Sequence, residues 1–166
     1  MEKGHHVTEN DGIAKVAELS KDVRIGMLTT TAPDGRLVSR PMALQEVEFD
    51  GDYWFFAERA SRKVEHIRAD PRVAVTLGSA DTWVAVAGRA EVVDDRAKAR
   101  ELWNAAVEAW FPGGPDDPNV ILLRVDGESA EYWDTPGGRV ATALSLVKAK
   151  VTGRPYDGGE NETVRL

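Results

Sequence analysis

The chain has 166 residues, which corresponds to about one domain. Its composition, with 42% hydrophobic and 30% charged residues, is typical of a globular protein that buries a substantial core. The net charge of −7 disfavours nonspecific binding to nucleic acid or anionic lipid, and no apolar run approaches the roughly 20 residues that a membrane-spanning helix needs. The absence of cysteine excludes disulfides, thiolate nucleophiles and sulfur metal sites.

The first half of the chain alternates apolar, β-branched runs with turns and two helical patterns. The predicted elements are a helix over 11–21, strands over 24–32, from 37 to a turn at 50–52, and over 53–58, and a helix over 61–70. Asp11 is a suitable cap for the first helix, and Pro71 ends the second because it disfavours a helical residue before it. The turns PDGR and DGD predict consecutive antiparallel hairpins.

The second half continues the strand pattern around one strong helical pattern. The predicted elements are strands over 72–78 and 82–93, a helix over 94–110, strands over 119–126 and 129–135, and a helix from about Arg139 to Lys150. In the helix over 94–110, apolar residues recur at steps of three and four. The last two strands are predicted to join at Gly127.

These elements predict a mainly β, antiparallel barrel with peripheral helices. Six or seven strands follow one another mostly through tight turns, and closure into a barrel removes exposed sheet edges. We expect a flexible segment at 1–10, one barrel domain over 11–151, and a polar, loosely held tail over 152–166. The first residues, MEKGHHVTEN, lack the apolar segment of a signal peptide, so we expect a cytoplasmic protein.

Arg40 and Pro41 are unusual within a strand. Alternation places Arg40 on the same side as Val38, Met42 and Leu44, and a guanidinium on an apolar face needs a partner. Proline cannot donate to a sheet ladder, so Pro41 indicates an edge strand or a bulge. Arg40 therefore pairs either with a nearby carboxylate or with a ligand.

The predicted helix over 61–70 begins with residues that suit an anion. Ser61 is a good N-cap, and Arg62 and Lys63 put two cations in the first turn, where acidic residues are favoured. Free amides, a hydroxyl and cationic side chains could bind a phosphate together with Arg40. The alternative is a solvated helix start with long charged side chains.

Histidine does not indicate a metal centre in this sequence. His5 and His6 are adjacent in the expected flexible start, and His66 is interpreted as an ordinary, partly exposed mid-helix residue.

Several of these stretches together resemble the pyridoxamine 5′-phosphate oxidase-like flavoproteins, and most closely their general stress protein branch. The resemblance rests on GMLTT, DGRLVSRPMA, DYWFFAERASRKVEHIRADPRVAV, AVAGRAEVVDD, WFPGGPDDP and AEYWDTPGGRVATALSLVKAKVTG. It implies a split β-barrel homodimer that binds flavin mononucleotide (FMN) in two grooves at the subunit interface.

The resemblance also implies a set of cofactor-binding residues. It matches the ribityl chain and ring edge to Arg40, Pro41 and Met42, and the ribityl and phosphate side to Phe55 and Phe56. It matches the phosphate-binding helix start to Ser61, Arg62 and Lys63, and the flavin ring to Trp83 and to Trp133, the last contributed by the second subunit. Cations suit a phosphate, and aromatic faces suit a flat conjugated ring.

The chain departs from the oxidases of that family at two places. Gln45 stands where they have a lysine that helps to hold cofactor and substrate, and near the C-terminal strand only Arg139 is available, without the histidine that accompanies it in substrate recognition. These departures argue against pyridoxamine phosphate as the substrate.

The leading hypothesis is an FMN-dependent oxidoreductase that transfers electrons or hydride between a small donor and acceptor. Its chemistry would belong to the cofactor, so no catalytic side chain is predicted. Two alternatives stay open: a noncatalytic stress protein that sequesters flavin, and the same fold with a deazaflavin or haem.

Overall fold

The computed structural model describes residues 9–135 and 160–166. The elements are, in chain order, α1 Glu9–Ser20, β1 Ile25–Thr31, β2 Leu37–Ala43, β3 Asp52–Glu58, α2 Arg62–Ala69, β4 Arg72–Gly78, β5 Thr82–Val93, α3 Arg96–Leu102, α4 Ala105–Trp110, β6 Val120–Asp134 and β7 Glu160–Arg165. The predicted helix from Arg139 to Lys150 lies outside the described residues.

The strands form one antiparallel sheet in the order β2-β1-β4-β5-β6-β3, and β7 also pairs with β6. The predicted mainly β, antiparallel architecture is confirmed. Within the described residues the sheet is not closed by hydrogen bonds, because β2 and β3 are the two ends of this order. Arg40 lies on one of these edge strands, β2, and α2 follows the other, β3, in the chain.

Two predicted turns are present, but only one of them joins a hairpin. Gly35 and Gly51 have φ of 85° and 115°, a left-handed conformation that glycine adopts without strain. β1 pairs with β2 across the first turn, whereas β3 pairs with the distant β6. The second predicted hairpin is therefore wrong, because burial of β3 against β6 decides its pairing.

The two strands predicted on either side of Gly127 are one bent strand, β6. The register with β5 shifts beside Gly88, so that Glu128 becomes an extra residue on β6. A Cβ at Gly88 would collide with the carbonyl oxygen of Asp126, and one at Gly127 would lie 2.9 Å from the Gly51 oxygen. The glycines therefore permit close backbone approach at a bulge, not a turn.

The single helix predicted over 94–110 is also two helices. Trp103 has an extended backbone, with φ −67° and ψ 134°, and Asn104 begins α4 by accepting hydrogen bonds from the amides of Ala106 and Val107. Helical spacing continues across the break, but the asparagine cap starts a new helix.

Part of the tail predicted to be loosely held is a strand. β7 pairs with β6 from Asp134 to Ser129, and Val164 is buried in the core. A Cβ at Gly12 would lie 2.8 Å from the Arg165 oxygen, so α1 packs closely on β7.

Two hydrophobic clusters fill the fold on opposite sides of β3. Phe55 belongs to the main cluster inside the curved sheet, and its side chain is fully buried. Phe56 belongs to a second cluster under α3 and α4, where its ring meets that of Trp103 edge to face at 5.3 Å.

Candidate functional site

Arg40 extends from β2 toward the inside of the curved sheet. It is paired in register with the fully buried Leu28 of β1, and the alternation expected from the sequence is observed. Its Nη1 donates to the Thr30 hydroxyl at 2.8 Å and to the Leu28 carbonyl at 3.3 Å. Burial, followed by the positive charge of Arg62, lowers the pKa of Arg40.

β2 is an edge strand with an unbroken register against β1, which settles the two readings of Pro41. The proline therefore marks an edge and not a bulge. Because Pro41 lacks an amide proton, this edge is also less able to pair with another strand.

The start of α2 contains an unpaired buried hydroxyl. Ser61 is the N-cap residue, yet its side chain makes no capping hydrogen bond. Among the described residues, Ser61 Oγ is the buried side-chain polar atom that has no partner. The Val64 amide donates to the Ser61 carbonyl at 3.1 Å, but the amides of Arg62 and Lys63 precede the first acceptor of the helix, so they join the Ser61 hydroxyl as donors for an anion. Such an orphaned polar group costs stability unless a ligand satisfies it.

Arg62 and Lys63 bring two further positive charges to this place. Burial and then the charge of Arg40 lower the pKa of Lys63, while Glu58 acts in the opposite direction. Hydrogen bonds also join Arg40 to Thr30 and Thr30 to His66 of α2, so the cations of β2 and α2 lie near one another. We call Arg40, Arg62 and Lys63 the cation cluster.

No member of the cation cluster forms an ion pair with any carboxylate in residues 9–135 and 160–166. The carboxylate pairing considered for Arg40 is thus not observed there. Like charges at close range disfavour one another, and at Lys63 the charge of Glu58 offsets the repulsion from Arg40 only in part. The arrangement fits a bound anion, and a phosphate monoester matches the hydroxyl, amide and cation donors present.

The side chains of Met42, Phe55 and Phe56 are buried in the hydrophobic clusters. These side chains contribute to packing. At these positions only the main-chain atoms of β2 and β3 are available to a ligand.

Trp83 and Trp133 lie on the outer face of the sheet. They are paired in register on β5 and β6 and are 48% and 39% exposed. Trp83 is paired with Gly78 of β4, and Thr76, two residues earlier on the same face of β4, is paired with Met27 of β1. The two tryptophans therefore lie on the same face of the sheet as Met27. We call five exposed apolar residues of this face the outer strip: Pro41, Ile25, Met27, Trp83 and Trp133.

Arg40 faces the opposite side of β2 from Pro41, so the sheet separates the outer strip from the cation cluster. The structure therefore brings together Arg40, Ser61, Arg62 and Lys63, and leaves the two tryptophans apart from them.

Two residues behind the cation cluster, Thr30 and His66, were not predicted from the sequence. His66 was expected to be partly exposed, but it is 6% exposed, and its Nδ1 lies 2.9 Å from the Thr30 hydroxyl. Thr30 is 1% exposed and also accepts from Arg40. The helical pattern of α2 shows Val64 and Ile67 as its buried face, and nothing in that pattern marks the histidine as buried beside them.

Gln45 has its side chain engaged by the protein. Its Nε2 lies 3.5 Å from the Ala43 carbonyl, and its Oε1 accepts from Asn104 Nδ2 at 3.2 Å. Arg139, the other departure, lies outside the described residues.

Within the described ranges, no group of three or more histidine and acidic side chains is arranged to hold a metal ion. No helix in this part of the chain is long and apolar enough to span a bilayer.

Comparisons with known proteins agree on one family. The family model described as pyridoxamine 5′-phosphate oxidase like matches residues 11–157. The protein bli-3 of Neurospora crassa is 31% identical over 140 residues, covering 78% of this chain and 67% of that protein.

Solved structures give the same picture. A protein of Jannaschia sp. CCS1 assigned as general stress protein 26 superposes with a TM-score of 0.76 at 29% identity, covering 92% of this chain and 97% of that one. The general stress FMN/FAD binding protein of Xanthomonas citri superposes with a TM-score of 0.65 at 30% identity, covering 75% and 89%.

Proposed function

The chain belongs to the pyridoxamine 5′-phosphate oxidase-like family, and we propose that it is an FMN-binding flavoprotein of the general stress protein type. The observation that carries this proposal is the buried, unpartnered Ser61 hydroxyl beside three cations that have no carboxylate partner among the described residues.

The phosphate of FMN would complete the bonding at the start of α2. A phosphate monoester is a compact acceptor of high charge, and Ser61 Oγ, the first amides of α2 and the cation cluster supply donors. Its negative charge would also relieve the repulsion between Arg40 and the two cations of α2. That the similar X. citri protein is described as FMN/FAD binding supports a flavin as the phosphorylated molecule.

We further propose a homodimer in which the outer strip is the interface. Trp83 and Trp133 leave large apolar surfaces exposed, and Ile25 is 56% exposed on the same side of the sheet. Clustered exposed aromatic residues are characteristic of contact surfaces. Within one protomer, the apolar and aromatic surface of the outer strip lies away from the cation cluster. A second copy would supply such a surface for the flavin ring.

The activity proposed is oxidoreduction of a small molecule. FMN, when bound, supplies electron and hydride transfer. The chain's own residues bind the phosphate, fix the position of the cofactor and exclude water from its anchor. Because Gln45 is hydrogen-bonded to Asn104 in place of the family's lysine, we propose a substrate other than pyridoxamine phosphate. The net charge of −7 and the cysteine-free composition fit a cytoplasmic protein that does not bind nucleic acid.

The decisive experiment identifies the bound molecule. The protein is purified, its visible spectrum is recorded, and any molecule released by denaturation is identified by mass. If the protein arrives without ligand, FMN and riboflavin are titrated into it separately. FMN is expected to bind, and riboflavin, which lacks the phosphate, to bind far more weakly. Equal affinities, or no affinity for FMN, would overturn the anchor.

Two further measurements test the remaining parts of the proposal. Sedimentation should show a dimer, and a monomer that holds FMN tightly would contradict an interfacial site. Steady turnover of bound FMN with NAD(P)H and an acceptor dye would support an enzyme. Bound flavin that stays oxidised with every donor tried would instead favour a protein that stores the cofactor.

A further inference from the structure

A buried chain of hydrogen bonds runs behind the cation cluster, from Arg40 through Thr30 to His66. Arg40 Nη1 lies 2.8 Å from Thr30 Oγ1, and Thr30 Oγ1 lies 2.9 Å from His66 Nδ1. We propose that Thr30 and His66 are positioning residues that hold Arg40 toward the start of α2 and so determine the preference for a phosphorylated flavin. This role rests on the proposed function.

The bonding capacity of the three groups fixes the direction of the chain. A guanidinium only donates, so Thr30 Oγ1 accepts from Arg40. Thr30 is 1% exposed, so its hydroxyl has no access to bulk water and its own proton needs an acceptor in the protein. His66 Nδ1 is the acceptor within reach, which assigns the ring proton to Nε2.

The chain joins the two halves of the candidate phosphate site. Arg40 comes from the edge strand β2, Thr30 from its neighbour β1, and His66 from α2, whose first turn carries Arg62 and Lys63. His66 follows Arg62 by four residues and Lys63 by three, so it lies one helical turn behind them. The Thr30–His66 bond therefore ties the helix to the sheet next to the point where their cations converge.

Electrostatics explain why Arg40 needs this support. The charges of Arg62 and Arg40 disfavour each other, and without a ligand this repulsion pushes the guanidinium away from α2. The hydroxyl of Thr30 and the carbonyl of Leu28 hold it in place. A side chain held in its bound position loses less conformational entropy on binding, which raises affinity.

The test measures the affinities of FMN and riboflavin for full-length variants. Thr30→Val keeps the shape of the side chain but removes its hydroxyl, and Thr30→Ser restores the hydroxyl. We expect Thr30→Val to weaken FMN binding about tenfold, to leave riboflavin binding unchanged, and Thr30→Ser to restore the FMN preference.

The matched control is Thr29→Val. Thr29 is the preceding residue on β1, and its hydroxyl points to the other face, where it meets Ser39 Oγ at 2.6 Å. Removing this hydroxyl should leave the ratio of the FMN and riboflavin affinities at its wild-type value.

A second pair of variants tests the histidine. His66→Phe removes the acceptor for Thr30, whereas His66→Asn can offer an amide group near the place of Nδ1. We expect the FMN preference to fall in the first variant and to be largely kept in the second. Thermal unfolding curves check that each variant is folded.

The outcomes separate this proposal from the proposed function. If wild-type protein prefers FMN over riboflavin and both Thr30→Val and His66→Phe keep that preference while folded, the positioning role is overturned and the phosphate site stands. If Thr30→Val weakens FMN and riboflavin equally, Thr30 has a general structural role and the proposal also fails. Wild-type protein without affinity for FMN would overturn both.

Discussion

Arg96, which binds the loop between α4 and β6 (residues 111–119), differs from the cations at the start of α2. The difference is whether the protein itself supplies the acceptors and the negative charge. Arg96 donates to the carbonyls of Pro115, Asp117 and Val120 and to the carboxylate of Asp94. The cation cluster has no such carboxylate within the part of the chain that the structure describes. A guanidinium with both terminal nitrogens bonded to protein oxygens, as in Arg96, belongs to the fold, whereas cations left to repel one another indicate a ligand.

The N-caps of the helices show the same difference. Asn104 accepts from two amides of α4, and Asp95 accepts from the Lys98 amide of α3, but the Ser61 side chain caps nothing. A capping residue with its hydroxyl unused is available to another acceptor. The comparison can be tested by changing matched residues in the two regions and measuring stability and flavin affinity separately.

The largest effect is expected from Arg96→Ala. Loss of the guanidinium removes its hydrogen bonds to three carbonyl oxygens and to Asp94, which keeps its bond from Arg59, so the free energy of unfolding should fall by about 2–4 kcal/mol. FMN affinity of the folded variant should be unchanged. Chemical denaturation measures the first quantity and FMN titration the second. A stable variant with weakened FMN binding would reverse the roles assigned to the two regions.

Lys63→Ala should have the opposite profile. Removal of one charge-assisted phosphate contact should weaken FMN binding by about 1.5–3 kcal/mol. The protein without FMN should be as stable as the wild type or slightly more stable, because the repulsion between Lys63 and Arg40 is removed. Unchanged FMN affinity would exclude Lys63 from the site.

A pair of cap variants sharpens the comparison at a smaller scale. Asn104→Ala removes the hydrogen bonds to the Ala106 and Val107 amides and should cost about 1 kcal/mol of stability. Ser61→Ala removes a buried hydroxyl that has no partner, so without FMN the variant should be as stable as the wild type or slightly more stable. Its FMN affinity should fall. Equal destabilisation by both variants would show that Ser61 is an ordinary cap.

The smallest expected effect is a change of stability at acid pH that depends on Asp70. Hydrogen bonds from Arg72 lower the pKa of Asp70 from 3.8 to about 2. A carboxyl with a lowered folded-state pKa contributes stability above its ordinary pKa and loses it as the pH falls through the folded value. The stability difference between wild type and Asp70→Asn should therefore shrink between about pH 4 and pH 2. A difference that stays constant over this range would contradict the pairing of Asp70 with Arg72.

Local sequence patterns determined the strands β1 to β5, α2, the turn glycines and the identity of the residues that converge at the start of α2. Alternation put Arg40 on the inner side of β2, and Ser61, Arg62 and Lys63 follow one another in the chain, so their proximity needs no knowledge of the fold. The family could also be read from the order of the motifs, which the family model confirms.

Only the tertiary structure decided which strands pair and which polar groups stay unpaired. β3 pairs with β6 across more than sixty residues, Asn104 divides one helical pattern into two helices, and β7 inserts a polar tail segment into the sheet. Arg40, Thr30 and His66 bond to one another although they come from three elements, β2, β1 and α2. Periodicity records which face of an element is apolar, but long-range pairing and the partners of buried polar groups depend on contacts between distant segments.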